Sequence, residues 1–497
     1  MGSTIPRLSD ALLSSLPTGV RRPSYDRGAV SSGIVHIGLG AFHRAHQAVY
    51  TDDCLARGER EWGITGLSLR SSDVSNALEP QDGLYTVLER NPDGDCARVI
   101  GAVREVVAVP VSPMLAMRRL TDPATRIISL TVTEKAYCQN ARSGTLDETH
   151  PGVIADLAGA GLPRTVPGLL VEALARRRTA GTPPCTVVVC DNLPSNGATV
   201  ARIVTRFAEC RDPGLARYVA DAIPFPCTMV DRIVPATTEV DRVAVEAHGY
   251  RDAWPVIAEP FSQWVIEDRF AAGRPRWEDA GALVVRNVAP FEAMKLRILN
   301  GAHSALAYLG ASAGIETVAD AVTEPTLAAF LRRLWDKDVV PTVPAVPGVD
   351  LAGYTAQLEE RFRNRAIRHR LQQIAMDGSQ KLPQRLLAPA LDRLGAGVSP
   401  RFIALAVAGW ARYLLGHNEL GSTYAINDPL ADRLADPLRD CGQDALAMTE
   451  RLFTVREVFD PALTGHADFR DTVRDALASL LSKGVRGTLR GWVQAED

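Results

Sequence analysis

Short apolar runs rich in β-branched residues recur through the first half of the chain. They cover residues 33–37, 64–69, 126–131 and 186–190, and each is bounded by turn residues. Continuous runs of this length are typical of buried parallel strands. Segments with helical spacing lie between them, as in 45–56 and 166–177. The pattern therefore predicts the β-α alternation of a doubly wound α/β domain.

The pattern changes near residue 288. From there, segments rich in Ala and Leu repeat their apolar residues at helical spacing, and they predict helices over 291–309, 327–335, 402–415 and 472–481. We therefore expect two domains, an α/β domain over residues 1–287 and a mainly α-helical domain over residues 288–497.

Composition and charge exclude several classes of binding partner. The chain has 497 residues, with 55 Lys and Arg against 58 Asp and Glu and a formal net charge of -3. This balance gives no electrostatic footprint for nucleic acid. The longest apolar stretch, 402–415, contains Arg412 and is shorter than the roughly 18 residues that suggest a membrane span. Residues 1–27 lack the apolar core of a secretory signal. We therefore expect a cytoplasmic protein that binds a small molecule, with no nucleic-acid or membrane partner.

The cysteines and histidines give no sign of a disulfide framework or a local metal site. The eight cysteines are scattered and form no C-x-x-C pair, which indicates reduced thiols. None of the nine histidines belongs to an H-x-x-x-H or H-E-x-x-H element, so a sequence-local zinc site is not expected. Ligands brought together by the fold stay an open alternative.

Two glycines, Gly38 and Gly40, follow the first predicted strand and precede a predicted helix. Gly38 suits a tight turn, and Gly40 suits close approach of the main chain to a pyrophosphate at the helix N-terminus. The third glycine of the G-x-G-x-x-G fingerprint is replaced by His43. Such a turn can be purely structural, but its place in the first β-α unit favours dinucleotide binding.

An acidic residue after the second strand of a dinucleotide fold binds the adenosine ribose. Asp73 follows the predicted strand 64–69 and favours NAD, because a carboxylate repels a 2′-phosphate. Arg70, Ser71 and Ser72 precede it and could accommodate that phosphate, so NADP stays an alternative. Asp73 could instead only cap the next helix.

The predicted helix 291–309 carries Lys295, Asn300 and His303 among apolar residues. At about 100° per residue, His303 lies about 80° and Asn300 about 140° from Lys295, so all three share one side of an α-helix. Polar groups on a buried helix need polar partners or a function. The structural alternative is a snorkelling lysine, a hydrogen-bonded core histidine and a helix-bending asparagine.

Oxidation of a secondary alcohol gives this trio a role. A partly desolvated lysine, with its pKa lowered from about 10.4 towards about 7 to 8, can accept the hydroxyl proton. Carboxamide N–H groups can stabilise the developing alkoxide. Asn300 supplies one, and Asn192 is a plausible second because it follows the predicted strand 186–190, where doubly wound sheets bind ligands. A loop with an Asx turn explains Asn192 equally well.

These residues resemble the long-chain mannitol dehydrogenase family, which includes mannitol 2-dehydrogenases, arabinitol dehydrogenases and fructuronate reductases. The resemblance rests on five sequence motifs, which are Gly38-x-Gly40-x-Phe42-His43-Arg44, Asp191-Asn192, Asp231, Glu259-Pro-Phe and Lys295-x4-Asn300-x2-His303. It implies a Rossmann-type N-terminal domain, a mainly helical C-terminal domain, a cleft site between them and metal-independent hydride transfer by a monomer.

The resemblance also assigns roles. Lys295 is the general base, Asn192 and Asn300 stabilise the alkoxide, and His303 orients the substrate. The loop residues Gly38, Gly40, Phe42, His43 and Arg44, with Asp73, are expected to bind the cofactor. Asp231 and Lys381 match substrate positions, and Gln373 stands where mannitol dehydrogenases can carry an arginine. Glu292, three residues before Lys295, is a hypothetical proton relay to solvent.

The substrate is less sharply indicated. The loop 191–197 looks like that of mannitol dehydrogenases, whereas 133–138, 295–297 and 374–385 look more like fructuronate reductases. A uronate needs a cation for its carboxylate, which Lys135, Lys381 or Arg385 could supply. We expect the D-mannitol/D-fructose pair, with D-mannonate/D-fructuronate as the alternative. A non-catalytic nucleotide-binding protein is a third possibility, although it would need none of the four catalytic candidates.

Overall fold

The computed structural model describes residues 5–140, 143–159 and 161–494. The chain divides into two compact units, the first ending at Ala289 and the second beginning at Pro290. The first unit contains a parallel sheet with helices between its strands, and the second consists mainly of helices. The predicted fold class is confirmed.

Twelve strands are described, all in the first unit. They are β1 Val20–Arg21, β2 Ser32–Ile37, β3 Gly63–Ser68, β4 Tyr85–Glu89, β5 Cys96–Ile100, β6 Val103–Ala108, β7 Ile127–Leu130, β8 Thr186–Val189, β9 Thr228–Asp231, β10 Val256–Ala258, β11 Gln263–Glu267 and β12 Leu283–Val285.

The described helices follow in chain order. They are α1 Ala41–Ala45, α2 Gln47–Ala56, α3 Asp73–Leu78, α4 Pro113–Thr121, α5 Pro151–Leu157, α6 Val166–Thr179, α7 Asn196–Arg211, α8 Pro213–Ala222, α9 Glu239–Glu246, α10 Ala289–Met294, α11 Gly301–Ser312, α12 Val318–Thr323, α13 Pro325–Arg333, α14 Leu351–Phe362, α15 Leu371–Ile374, α16 Gly378–Leu382, α17 Ala388–Gly395, α18 Arg401–Tyr413, α19 Ala431–Arg439, α20 Ala445–Phe453, α21 Pro461–Thr464 and α22 Ala467–Gln494.

The main sheet has the strand order β6-β3-β2-β7-β8, and every pair in it is parallel. The chain runs from β2 outwards to β3 and β6, and then returns to the other side of β2 with β7 and β8. The order therefore reverses between β2 and β7, and ligands of doubly wound folds bind at the carboxyl ends of strands around such a point. Two smaller sheets, β1-β5-β4-β10 and β12-β11-β9, complete the strands of this unit.

The apolar runs predicted as strands are buried because helices cover both faces of the sheet. Ile37, Ile128, Val187 and Val189 have no measurable exposure. The observed strand bounds differ from the predicted ones by at most one residue at either end, as in β3 at Gly63–Ser68.

The second unit is organised around α11 and α18, in which every residue is buried except Arg401, the first residue of α18. The two helices pack against each other, and α22 packs against α18. Gly409 allows the first contact, because a side chain there would come within 2.7 Å of Leu309 Cδ2. Among the helices in the described ranges, none is both long enough and apolar enough to cross a membrane.

Three predicted helices are not continuous α-helices. The predicted helix 45–56 is preceded by α1, and α1 and α2 are separated at His46, where φ is -126° and ψ is -91°. Helix 291–309 is interrupted by a π-helical stretch at Lys295–Asn300, the first π segment. The prediction of one α-helix there was wrong. The predicted helix 327–335 likewise runs into a second π segment, Leu334–Val339, and a third occupies Pro383–Leu387.

Candidate active site

Gly38 forms the turn at the end of β2. Its φ is +94°, a conformation that L side chains rarely adopt, and a Cβ atom there would lie 2.2 Å from the carbonyl oxygen of Thr131. Thr131 follows β7, the strand on the other side of the sheet's reversal point. Only glycine therefore satisfies both the backbone angle and this close approach.

Gly40 is glycine for a different reason. It is the N-cap of α1 and is exposed, with φ at -81°. A Cβ atom there would meet nothing closer than the Gly38 carbonyl oxygen at 3.8 Å. The protein itself therefore does not require glycine at this position. The open space at the start of a helix is suited to a pyrophosphate, so these residues fit a dinucleotide.

His36 supports this loop and was not among the predicted site residues. Its Nε2 lies 3.1 Å from the Gly38 carbonyl oxygen, and its Nδ1 lies 2.8 Å from Ser129 Oγ. Because a carbonyl only accepts, Nε2 carries the hydrogen and Nδ1 accepts from Ser129. Burial lowers the pKa of His36 to about 3. The signal in the sequence was a lone polar residue within a buried apolar strand.

The side chains of His43 and Arg44 lie inside the first unit, on the inner side of the loop. The imidazole of His43 stacks on that of His36, with ring centroids 3.3 Å apart. The Arg44 guanidinium donates to the Trp254 carbonyl and lies 5.2 Å from the centre of the Tyr85 ring. Both residues are almost fully buried, so the structure gives them contacts that brace the loop from within.

Phe42 and Asp73 are nearer the surface. Phe42 is half-buried and stacks on His46 at 5.0 Å between ring centroids. Asp73 is exposed and is the first residue of α3, whose N-cap is Ser72. Ser72, and not Asp73, therefore occupies the N-cap position of this helix.

The carboxyl ends of β7 and β8 are joined through Asp191. Its carboxylate accepts hydrogen bonds from the main-chain nitrogens of Val132 and Thr133, at 3.0 and 2.9 Å, and from the Tyr137 hydroxyl at 2.6 Å. Burial raises the pKa of Asp191. Thr133 has a φ of +77°, which is unusual for a β-branched residue. This network fixes the loop that presents the exposed Asn192 at the same edge of the sheet as Gly38.

Asp231 is the last residue of β9, where it is buried and pairs with Gln263 of β11. The next residue, Arg232, is also buried and donates to the main-chain carbonyl of Glu259 at 3.0 Å. The Glu259 carboxylate in turn accepts from the Ile233 nitrogen at 2.7 Å. This network fixes the main chain on both sides of Asp231.

In the second unit, the first π segment changes how Lys295 and Asn300 relate. A π turn closes its hydrogen bond over five residues, so residues 295 and 300 lie nearly one above the other along the axis. An α-helix would have placed them about 140° apart. Lys295 and His303 are more than nine-tenths buried, and Asn300 is partly buried. The structure therefore brings the three predicted residues closer to one line than α-helical spacing does.

His303 is enclosed by rings. It stacks on Phe362 with centroids 4.6 Å apart, and the His369 ring lies edge-on at 5.1 Å. Burial, reinforced by neighbouring positive charges, lowers the pKa of His303 well below its usual value, so the imidazole is neutral near pH 7. Its buried Nε2 has no hydrogen-bond partner within the described ranges, which suits an atom that orients a substrate hydroxyl.

The remaining predicted residues of this unit are more accessible. Lys381 is half-buried on α16, and its Nζ donates to the carbonyls of Ile374 and Met376 at 3.3 and 2.5 Å. Gln373 is exposed on α15, and Glu292 is half-buried on α10. Over the residues with described positions, no cluster of three or more His, Cys, Asp or Glu could hold a metal ion.

Both units match models of the same protein family. Residues 32–279 match the mannitol dehydrogenase Rossmann domain, and residues 287–481 match the mannitol dehydrogenase C-terminal domain. The chain belongs to the mannitol dehydrogenase family. The predicted resemblance is confirmed, and the chain is an oxidoreductase, as the sequence indicated.

Relatives within the mannitol dehydrogenase family differ in the substrate that their names specify. The D-mannonate oxidoreductase of Escherichia coli (strain K12) is 43% identical over 95% of this chain and 98% of its own length. The mannitol 2-dehydrogenase of Cereibacter sphaeroides is also 43% identical, over 87% of this chain and 91% of its own. Sequence identity alone therefore does not separate the two predicted substrates.

A solved structure extends the match to the fold. The Pseudomonas fluorescens mannitol 2-dehydrogenase, in a ternary complex with NAD and D-mannitol, has a TM-score of 0.89 and 38% identity to this chain. The match covers 98% of this chain and 99% of that one.

Proposed function

We propose that this protein is a nicotinamide-dependent, metal-independent dehydrogenase that interconverts a secondary alcohol of an acyclic polyol or sugar acid with the corresponding ketone. The observation that carries the proposal is the buried Lys295, which the first π segment aligns with Asn300 ahead of His303. A buried lysine is disposed to lose its proton, and an amide beside it can donate to an alkoxide.

In this mechanism Lys295 accepts the proton of the substrate hydroxyl, and the amide N–H groups of Asn192 and Asn300 stabilise the alkoxide. His303 orients the substrate through a hydrogen bond, and Glu292 relays the proton from Lys295 to solvent. A bound nicotinamide would supply the hydride acceptor for this oxidation. In the reverse direction protonated Lys295 returns the proton to the ketone oxygen.

The cofactor is proposed to be NAD, with NADP as the alternative. Gly38 and Gly40 would hold the pyrophosphate, because the space beside Gly40 is open. The exposed Asp73 would bind the adenosine ribose and disfavour a 2′-phosphate. The Pseudomonas fluorescens relative was solved with NAD, which supports the same cofactor here. The functional unit is proposed to be a monomer.

Substrate contacts are proposed for Asp231, Lys381 and Gln373. The D-mannitol/D-fructose pair agrees with the polyol named for the matched solved structure. Gln373, which stands where mannitol dehydrogenases can carry an arginine, counts against strict specificity for D-mannitol. The D-mannonate/D-fructuronate pair is the second candidate. It is favoured by one specific observation, the place of Arg385 beside Asn300.

The test is an assay of NAD and NADP reduction with D-mannitol, D-arabinitol, D-sorbitol and D-mannonate, before and after exhaustive chelation. We expect Lys295→Ala to lower kcat by about 10³-fold on every substrate that is used. Lys337→Ala is the matched control, because Lys337 also lies in a π segment but is exposed. Undiminished turnover in Lys295→Ala would falsify the mechanism, and loss of activity on chelation would contradict metal independence.

A further inference from the structure

Arg385 reaches the helix that carries Asn300 and His303 from a distant part of the chain. It lies in the third π segment, which packs against the first. Its Nη1 is 3.4 Å from the carbonyl oxygen of Asn300 and 3.2 Å from Ser304 Oγ. Ser304 is fully buried, whereas Arg385 is half-buried. A guanidinium therefore lies within one helical turn of two candidate catalytic residues.

The main chain fixes this position. Gly301 immediately follows the first π segment, and a Cβ atom there would lie 3.0 Å from the Arg385 carbonyl oxygen. Glycine inside a helix is less favourable than alanine. The close approach of two backbones accounts for that cost, because it allows the third π segment to pack directly on the catalytic helix.

Several cationic side chains act on His303. The charges of Arg385, Arg361 and Lys295 all act on His303 and, after burial and His369, are the causes that lower its pKa. A neutral polyol gains little from such a field. A carboxylate gains charge-assisted hydrogen bonds, and the planar fork of a guanidinium matches its two oxygens.

We propose that Arg385 recognises a carboxylate of the substrate and so makes this enzyme select an acyclic sugar acid over the corresponding neutral polyol, which places the second candidate pair, D-mannonate/D-fructuronate, ahead of D-mannitol/D-fructose. The inference rests on the proposed function, because it places the acid beside the candidate groups Asn300 and His303. Arg385 takes no part in proton or hydride transfer. Its contribution is to substrate binding, and its loss therefore raises KM more than it lowers kcat.

The experiment compares D-mannonate with D-mannitol, each with NAD, in the wild type and in Arg385→Gln and Arg385→Lys. Glutamine keeps an N–H donor for Ser304 and loses the charge, while lysine keeps the charge and loses the fork. We expect Arg385→Gln to lower kcat/KM for D-mannonate by about 100-fold through KM, and Arg385→Lys by about 10-fold. The value for D-mannitol should change less than about threefold. Arg433→Gln, which removes an exposed arginine paired with Glu457, is the control and should match the wild type.

Binding without turnover provides a second measurement. D-mannonate should raise the melting temperature of the NAD-saturated wild type, and this shift should be absent in Arg385→Gln even if that variant is less stable. Equal losses on both substrates, mainly in kcat, would mean that Arg385 only positions Asn300 and would overturn the proposal. A Lys295-dependent enzyme that oxidises D-mannitol but not D-mannonate overturns it while leaving the proposed function intact. Turnover of none of the four substrates, D-arabinitol and D-sorbitol included, overturns both the inference and the proposed function.

Discussion

The indole Nε1 of Trp335 donates a hydrogen bond of 2.9 Å to the main-chain carbonyl of Ile298. Ile298 lies within the first π segment, and Trp335 lies in the second. Two irregular helical segments are therefore joined at the stretch that positions Lys295. A π turn is a rare backbone geometry, and a buried hydrogen bond to one of its carbonyls helps to hold it.

Replacement of Trp335 by phenylalanine should loosen this stretch. We expect the melting temperature to fall, with a destabilisation of about 1–3 kcal/mol from the lost hydrogen bond and the smaller side chain. We also expect kcat to fall about 10-fold with little change in KM. The matched control is Trp277→Phe, which removes an indole hydrogen bond to Thr51 in the first unit. A similar loss of kcat in both variants would show that the effect is one of general stability.

The pH dependence of the reaction should belong to Lys295 and not to His303. Because burial holds the pKa of His303 well below its usual value of about 6.5, its ring is already neutral at that pH and stays neutral as the pH rises. Alcohol oxidation should rise with pH as the lysine loses its proton. We expect His303→Gln to lower kcat/KM about 10-fold to 100-fold and to keep the same inflection in the pH profile. A profile that loses its inflection in this variant contradicts the assignment.

The two glycines of the cofactor loop should respond differently to a methyl group. Gly38→Ala meets the Thr131 carbonyl and a positive φ, so we expect a lower melting temperature, by several degrees for a loss of about 1–3 kcal/mol. Gly40→Ala meets only open space, so the apo protein should melt as the wild type does. Its dissociation constant for NAD, measured by calorimetry, should rise by at least about 10-fold. Unchanged affinity in Gly40→Ala would remove this loop from the cofactor site.

Acid should destabilise the first unit through His36. Its folded-state pKa is about 3, below the unfolded value of about 6.5. The unfolded chain therefore binds the extra proton between these values, so the stabilisation present above pH 6.5 is lost as the pH falls towards 3, by up to about 1.4 kcal/mol per pH unit. Chemical denaturation at several pH values should show a shallower decline for His36→Asn. The exposed His466 gives the control variant His466→Asn, and an equal decline in all three proteins counts against this role.

Periodicity sufficed to predict the fold class and to place Lys295, Asn300 and His303 on one side of their helix. The apolar runs of β2, β7 and β8 predicted buried parallel strands. The spacing of Lys295, Asn300 and His303 predicted that these three side chains lie on one side of a helix. The π geometry was not predictable, because it depends on contacts of residues 295–300 with Trp335 and with the third π segment. A hydrophobic pattern with a period near 3.6 residues does not reveal that one helical turn contains an extra residue.

In the loop after β2, too, the sequence predicted some features and not others. The sequence indicated Gly38 and Gly40 together, but it could not tell that one is required by the protein and the other leaves open space. It also grouped His43 and Arg44 with the cofactor, whereas their side chains are buried against His36 and Trp254. Asn300 and Arg385 are 85 residues apart, so no local pattern could place a guanidinium beside the main-chain carbonyl of Asn300.

At the contact between Gly301 and Arg385, Arg385 contributes its main-chain carbonyl, and Gly301 allows the approach because it has no side chain. The side chain at position 385 takes no part in it. Mutation can therefore exchange this side chain, and with it the charge next to Asn300, while the backbone of the catalytic helix stays where it is. Under the proposed function, position 385 is therefore a place where a single codon change can alter which substrate is accepted, without a change in Lys295 or in the main chain around it.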